Sequence, residues 1–435
     1  MRDLPFPPLP PADPQHGHLG QLRADRLGFL TETAHTYGDV VQIHFGEAVS
    51  YLVNRPDLIE KVLLHTNTHF IKGYSDDPIL RTLLGNGLLN SEGSFWLRQR
   101  RLIQPTFHRN RIASYQQIMV DYTERALSEW RDGQRLELHG VLMQLTLEIV
   151  AKALFGEDLR DKSQGIGEAL TAALKAFFDR DEEDDGELPE GFLKAVASLD
   201  AVVYELIERR RSQPTSQSDL ISVLLGARDD EGQTMTDQQL RDEVMTLLLA
   251  GHETTANALS WAWLLISQHP AVWEGMHREA KALAQPLQAA ELSQLSCCES
   301  VLKEAMRLYP PVWAFSRVAK EDLELGGFAL PAGTGVLLSQ WVTHRDPRYF
   351  PEPLAFRPER WQAEGSWPRH AYFPFGGGPR LCIGNNFAML EGTLISARIA
   401  REWRLRWTGE EVTPLPAITL RPFPGVWVTL ERVGA

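Results

Sequence analysis

The sequence predicts a mainly α-helical protein with small β-sheets. Three observations carry this: apolar residues recur at helical spacing through most of the chain, strand-like runs are few and short, and neither an internal repeat nor a glycine-serine linker divides the 435 residues. The alternating runs Val40-Val41-Gln42-Ile43-His44-Phe45 and Tyr51-Leu52-Val53 read as strands of a small N-terminal sheet. Helical periodicity then marks residues 94–104, 112–131, 141–155, 166–178, 191–211, 236–268, 271–284, 296–308 and 385–403. Strands return at 312–319, 326–337 and 413–431, while the proline-rich residues 1–20 favour an extended lead-in.

Apolar residues make up 43% and charged residues 23% of the chain, enough for a sizeable core. The net charge of −13 argues against nucleic-acid binding, which needs a basic surface to release counterions from phosphate. Cys297, Cys298 and Cys382 suit a reducing cytoplasm, because sequence neighbours such as the first two rarely pair. The first residues hold no long apolar run, so neither a signal peptide nor a membrane anchor is expected. The acidic run 179–187 reads as a solvated loop between helices, with a cation or partner site as the rarer alternative.

The chemistry concentrates in Phe375-Gly376-Gly377-Gly378-Pro379-Arg380-Leu381-Cys382-Ile383-Gly384, where a cysteine sits in a tight loop just ahead of a helix. A lone cysteine is usually a small buried hydrophobe. Here the N–H groups and dipole of a helix starting near Asn385 would stabilise an anionic sulfur, which makes Cys382 a candidate iron ligand. The glycines permit positive φ and close backbone approach to a flat ligand, and Arg380 offers a cation for a ligand carboxylate.

Thr236-Asp237-Gln238-Gln239 has capping-box form, and the helical pattern after it runs to Pro270, about 50 Å at 1.5 Å per residue. Its centre, Ala250-Gly251-His252-Glu253-Thr254-Thr255, sets a carboxylate and two hydroxyls between apolar flanks, a desolvation cost that calls for partners or work. Thr254 is a candidate proton donor whose hydroxyl otherwise satisfies its own helix backbone, and Glu253 a candidate proton relay to solvent. His252 lies on another face and reads as a structural or exposed histidine.

Trp96 and Arg100 are one helical turn apart, so both can face one ligand. Arg317 is a further cation and His108 a secondary candidate; Arg98 and Arg101 read as surface residues or part of a basic docking patch. Glu304 and Arg307 form an i, i+3 pair on a helix that stops before Pro310-Pro311, by itself an ordinary ion pair.

Together these stretches resemble the signatures of the cytochrome P450 family over nearly the whole chain. F-x-x-G-x-R-x-C-x-G falls at 375–384, A-G-x-E-T-T at 250–255, W-x-x-x-R at 96–100 and E-x-x-R at 304–307. F-x-P-E-R-F falls at 356–361, with Trp361 as the last aromatic. The resemblance implies that family's fold as a single haem domain over 1–435, the haem lying between the long central helix and the Cys-loop with its following helix. It implies haem b ligated by Cys382 and surrounded by Trp96, Arg100, Ala250, Gly251, Arg317, Phe375, Gly378, Arg380 and Gly384. Gly251 would leave room for dioxygen, Thr254 and Glu253 would deliver protons, and Glu304, Arg307 and Arg360 would form a buried structural triad, with Arg357 as fallback for its third member.

The activity implied is a haem-thiolate monooxygenase that inserts one oxygen atom of O2 into a C–H or C=C bond of a hydrophobic substrate. The chain shows no nucleotide, flavin or iron–sulfur motif, so electrons are expected from NAD(P)H through a separate ferredoxin or flavodoxin with its reductase. Two other readings stand beside it: a peroxide-using peroxygenase or isomerase, against which the Glu253-Thr254 pair weighs, and a haem sensor, against which the lack of a signalling domain weighs. Phe177, Phe178, Ala250, Val312, Trp313, Ala314, Phe315 and Leu420 are expected around the substrate, although the same apolar stripes also suit a core. Fatty acid, terpenoid and carotenoid substrates remain open, and a cytoplasmic monomer is expected.

Overall fold

A computed structural model describes residues 4–73, 77–178, 188–213, 219–228, 232–283, 294–362, 365 and 367–434. These are mostly helical with small β-sheets, as the periodicity predicts. The acidic run 179–187 and the side chains of Phe177 and Phe178 lie outside the described residues. The chain forms two compact units, Met1–Tyr74 with Glu304–Cys382 and Ser75–Lys303 with Ile383–Ala435.

The first unit is built on a five-stranded sheet in the order Val40–Phe45, Ala48–Val53, Gly335–Leu338, Phe315–Ala319, Phe70–Ile71. The first two strands pair antiparallel, Val40 opposite Val53. They do not form a sheet of their own, because Ala48–Val53 also runs parallel to Gly335–Leu338 in a pairing that no local pattern reveals. Side chains alternate across this sheet. Tyr51 and Val53 join Ile59, Leu63, Val336 and Leu338 on one face, while Leu52 joins Leu30 and Ile43 on the other. Half-buried Trp313 packs against that second cluster, and its carbonyl accepts the Trp341 N–H at 3.0 Å. The proline-rich lead-in is tied down at two points, where Gln42 N–H donates to the Pro8 carbonyl at 2.9 Å and Ala329 N–H to that of Pro5 at 3.0 Å, and a short helix, Leu19–Ala24, follows it.

In the second unit, helices Leu138–Phe155, Glu190–Ser212 and Asn385–Glu402 pack against the 32-residue helix Asp237–Gln268. The predicted capping box is present, with Thr236 Oγ1 accepting from Gln239 N–H at 3.2 Å and Thr236 N–H donating to Gln239 Oε1 at 2.9 Å. Among the described residues, Leu138–Phe155 is the one helix long and apolar enough to cross a membrane, and 67% of it is buried inside the protein.

Two carboxylates on the long helix hold the loop ahead of helix Gly93–Ile103. Asp242 Oδ2 accepts the Asn86 N–H at 2.8 Å and Glu243 Oε2 the Leu88 N–H at 2.9 Å. Burial pushes the Glu243 carboxyl up to about 8, opposed by the Leu88 N–H and reinforced by the Asp242 charge. A carboxyl raised by folding contributes stability that is full below its unfolded value and fades as pH rises through its folded one, here between about 4.5 and 8. Glu243→Gln is therefore expected to gain in unfolding midpoint over the parent as pH rises from about 5 to about 9, by roughly 1.4 kcal/mol per pH unit at most within that window. A gap between the two proteins that stays constant across a pH series of thermal melts would contradict this.

Candidate active site

The Cys-loop lies in the first unit and is folded back on itself. Cys382 N–H donates to the Phe375 carbonyl at 3.0 Å, Gly376 N–H to Phe373 at 2.9 Å and Leu381 N–H to Gly378 at 3.1 Å. Gly378 adopts φ +63, and a Cβ there would sit 2.1 Å from the Leu63 carbonyl oxygen, so no other residue fits. Gly384, by contrast, has an ordinary φ of −92, and a Cβ would meet only Phe107 at 3.8 Å. Of the three cysteines, Cys382 is the exposed one. Burial pushes the Cys297 thiol up to about 11, with the Glu279 charge adding, and holds that of Cys298 well above the ordinary thiol value. Arg317 is buried, its Nε donating to Thr66 Oγ1 at 3.3 Å, and Arg380 Nε donates to Asn67 Oδ1 at 2.9 Å.

A buried ionic cluster braces this loop. Glu304 and Arg307 are both wholly buried and doubly bonded, Arg307 Nε to Oε2 at 2.9 Å and Nη2 to Oε1 at 2.8 Å. Arg360 Nε donates to Glu304 Oε1 at 3.3 Å and the Trp361 indole N–H to Oε2 at 2.9 Å. The fallback Arg357 turns its guanidinium outward to Glu352 and Glu359 and contributes only its backbone N–H to Glu304. Arg307 Nη1 also donates to the His344 carbonyl at 2.9 Å, and His344 Nε2 accepts the Phe373 N–H at 2.9 Å. The triad thus reaches the start of the Cys-loop through one histidine. Burial, with the charges of Arg307 and Arg345, holds His344 well below the usual imidazole range, so it stays neutral and able to accept.

In the second unit, the long helix is buried on both sides of a short opening. Ala250 is exposed and Gly251 and Thr254 half-buried, whereas Leu240 to Leu249 and Thr255 to Ile266 are buried. Thr254 Oγ1 donates to the Ala250 carbonyl at 2.9 Å. A Cβ on Gly251 would approach Val150 Cγ2 to 3.0 Å, so the glycine serves the crossing with helix Leu138–Phe155. Trp96 is buried and Arg100 half-buried, one turn apart on helix Gly93–Ile103 as expected. Leu420 is wholly buried and its carbonyl accepts the Trp261 indole N–H at 3.0 Å, a core position.

Glu253 lies deeper in the long helix Asp237–Gln268. It is 2% exposed, and its Oε1 accepts from Arg421 Nε at 2.6 Å and from the Thr419 hydroxyl. Burial works to raise its pKa, but the Arg421 charge and hydrogen bond, with Thr419, outweigh it and leave the carboxyl below its ordinary value. The candidate relay is therefore held as an ion pair with the half-buried Arg421. Its partner Arg421 sits on the strand Leu420–Phe423 and carries no local sequence signal. His252 is the structural histidine of the two readings: it is buried, its Nδ1 bonds the Leu248 carbonyl at 2.9 Å, and burial lowers its pKa.

A family profile described as Cytochrome P450 matches residues 7–425. The chain belongs to the cytochrome P450 family. Cyclooctatin synthase of Streptomyces melanosporofaciens is 36% identical over 430 residues, covering 96% of this chain and 92% of its own. Cyclooctat-9-en-7-ol 5-monooxygenase of the same organism is 36% identical over 426 residues, covering 94% and 90%. Pentalenene oxygenase of Streptomyces avermitilis is 30% identical over 424 residues, covering 95% and 92%. As a cytochrome P450 monooxygenase the chain uses haem and O2. The Cys-loop fits that group: it presents an exposed thiol on a turn where Gly378 admits no other residue.

Proposed function

We propose that this cytochrome P450 oxidises a terpenoid, holding haem b through Cys382 in one haem domain that spans residues 1–435. The relatives' names carry the substrate class: three bacterial proteins similar over almost the full chain are named for cyclooctatin, cyclooctat-9-en-7-ol and pentalenene. The half-buried segment Val312, Ala314 and Phe315 supports an apolar ligand. Trp96, Arg100, Arg317 and Arg380 supply N–H donors for the haem propionates. When bound, the thiolate-ligated haem supplies activation of O2 and transfer of one oxygen atom to the substrate. The chain's own part is to orient the substrate, exclude water and move protons, with the Thr254 hydroxyl as donor and Glu253 behind it. Electrons come from NAD(P)H through a ferredoxin or flavodoxin and its reductase, and the protein works as a cytoplasmic monomer.

The test is a ligand titration of the purified haem protein read by the spin-state change in its absorption spectrum. Cyclic terpene hydrocarbons and alcohols are expected to produce the high-spin shift at micromolar concentration, and straight-chain fatty acids to produce little. A shift by fatty acids and none by any cyclic terpene would replace the substrate reading.

A further inference from the structure

The Glu253 carboxylate ends a line of hydrogen bonds that begins near the protein surface. Its Oε1 accepts from Thr419 Oγ1, which accepts from Asn257 Nδ2 at 3.0 Å, while Asn257 Oδ1 lies 2.9 Å from His139 Nε2. Glu253, Asn257 and Thr419 are buried; His139, at the first turn of helix Leu138–Phe155, is half-buried. Each orientation follows from the one before it. An ionised carboxylate only accepts, so Thr419 must donate to it and take its own hydrogen bond from the Asn257 amide. That turns the Asn257 carbonyl toward His139 and obliges the imidazole to carry its hydrogen on Nε2.

We infer that His139, Asn257 and Thr419 are positioning residues that hold Glu253, with Arg421, as a charged acceptor and so control when it takes up a proton. The inference rests on the proposed proton role of Glu253 and deepens it. The charged and titratable groups around the line are Glu137 and Arg421 beside His139, and Arg421 and His252 beside Glu253. Burial holds His139 below the usual imidazole range, opposed by the Asn257 bond and the Glu137 charge, so it acts as a neutral donor.

The sign follows from the charge state. A carboxyl lowered by folding contributes stability above its unfolded pKa that is lost as pH falls through its folded one. Weakening the line removes a donor from the charged form, so that loss begins at higher pH.

The experiment compares His139→Leu, His139→Gln and Glu253→Gln in the haem-loaded enzyme. In His139→Gln the introduced side-chain amide N–H can take the place of the imidazole Nε2–H. Two readouts are followed against pH: the thermal midpoint, and product formed per reductant consumed. Both variants lose the imidazole's own titration, so they are compared with each other: the acid limb of both curves is expected to lie about half to one pH unit higher in His139→Leu than in His139→Gln. The difference is expected to vanish when Glu253→Gln is added. Acid limbs that coincide in His139→Leu and His139→Gln would overturn the inference. Should Glu253→Gln leave coupling unchanged, the proton role of Glu253 falls, while the thermal midpoints still decide whether the line governs its charge. If His139→Leu fails to load haem, Thr419→Val against Thr419→Ser poses the same comparison from the other end.

Discussion

Glu304→Ala is expected to give a protein that takes up little or no haem. The Glu304 side chain is wholly buried and accepts from Arg307, Arg360, Trp361 and the Arg357 N–H. Removing it leaves the Arg307 guanidinium buried with no counter-charge at its Nε, and breaking a buried pair in this way costs about 3–5 kcal/mol. A folded domain has only about 5–15 kcal/mol to lose. The damage is also aimed at the site, because Arg307 holds His344 and His344 holds the Phe373 N–H at the head of the Cys-loop. The haem-to-protein absorbance ratio of purified Glu304→Ala measures this directly, and full loading would dismiss the bracing role. Arg360→Ala should be milder, since its longer contact at 3.3 Å leaves the closer Arg307 pair intact.

Thr254→Ala is expected to do the opposite: a stable, haem-loaded protein that consumes reductant and O2, releases hydrogen peroxide and forms product at least about tenfold less efficiently. A positioned proton donor is typically worth about 100-fold or more. In the structure, Thr254 donates only to the Ala250 carbonyl of its own helix, a bond that alanine does not need. Stability should therefore change by less than about 0.5 kcal/mol, which separates a chemical effect from a folding one. Measuring peroxide, product and reductant together decides the matter. Unchanged coupling would reduce Thr254 to a helix residue that merely satisfies its backbone.

Most of the long helices were legible, because apolar spacing and capping act within a few residues. Ser296–Leu308 begins and ends where its periodicity predicts, and Asp237–Gln268 starts at its capping box. Pro56–Leu64 and Pro78–Leu84 were not, since each spans too few turns for its periodicity to stand out, nor was Arg26–Tyr37, of which only Leu27, Leu30 and Thr33 are buried. Of the site, the Cys-loop and the Glu304-Arg307 pair carry their own signatures. Arg421 does not: one arginine in a short strand near the C-terminus says nothing about a carboxylate 168 positions away.

The sequence by itself therefore determined most of the long helices, the glycine-rich loop that carries Cys382 and the resemblance to a haem-thiolate family, all matters of chemistry between near neighbours. Only the tertiary structure decided that Glu253 is paired with Arg421, that Gly251 makes room for Val150 and that Ala48–Val53 runs beside Gly335–Leu338. The physical reason is the same in each case. A side chain's charge, exposure and freedom depend on which distant segment packs against it, and that choice is made by the burial of the whole unit rather than by any local pattern.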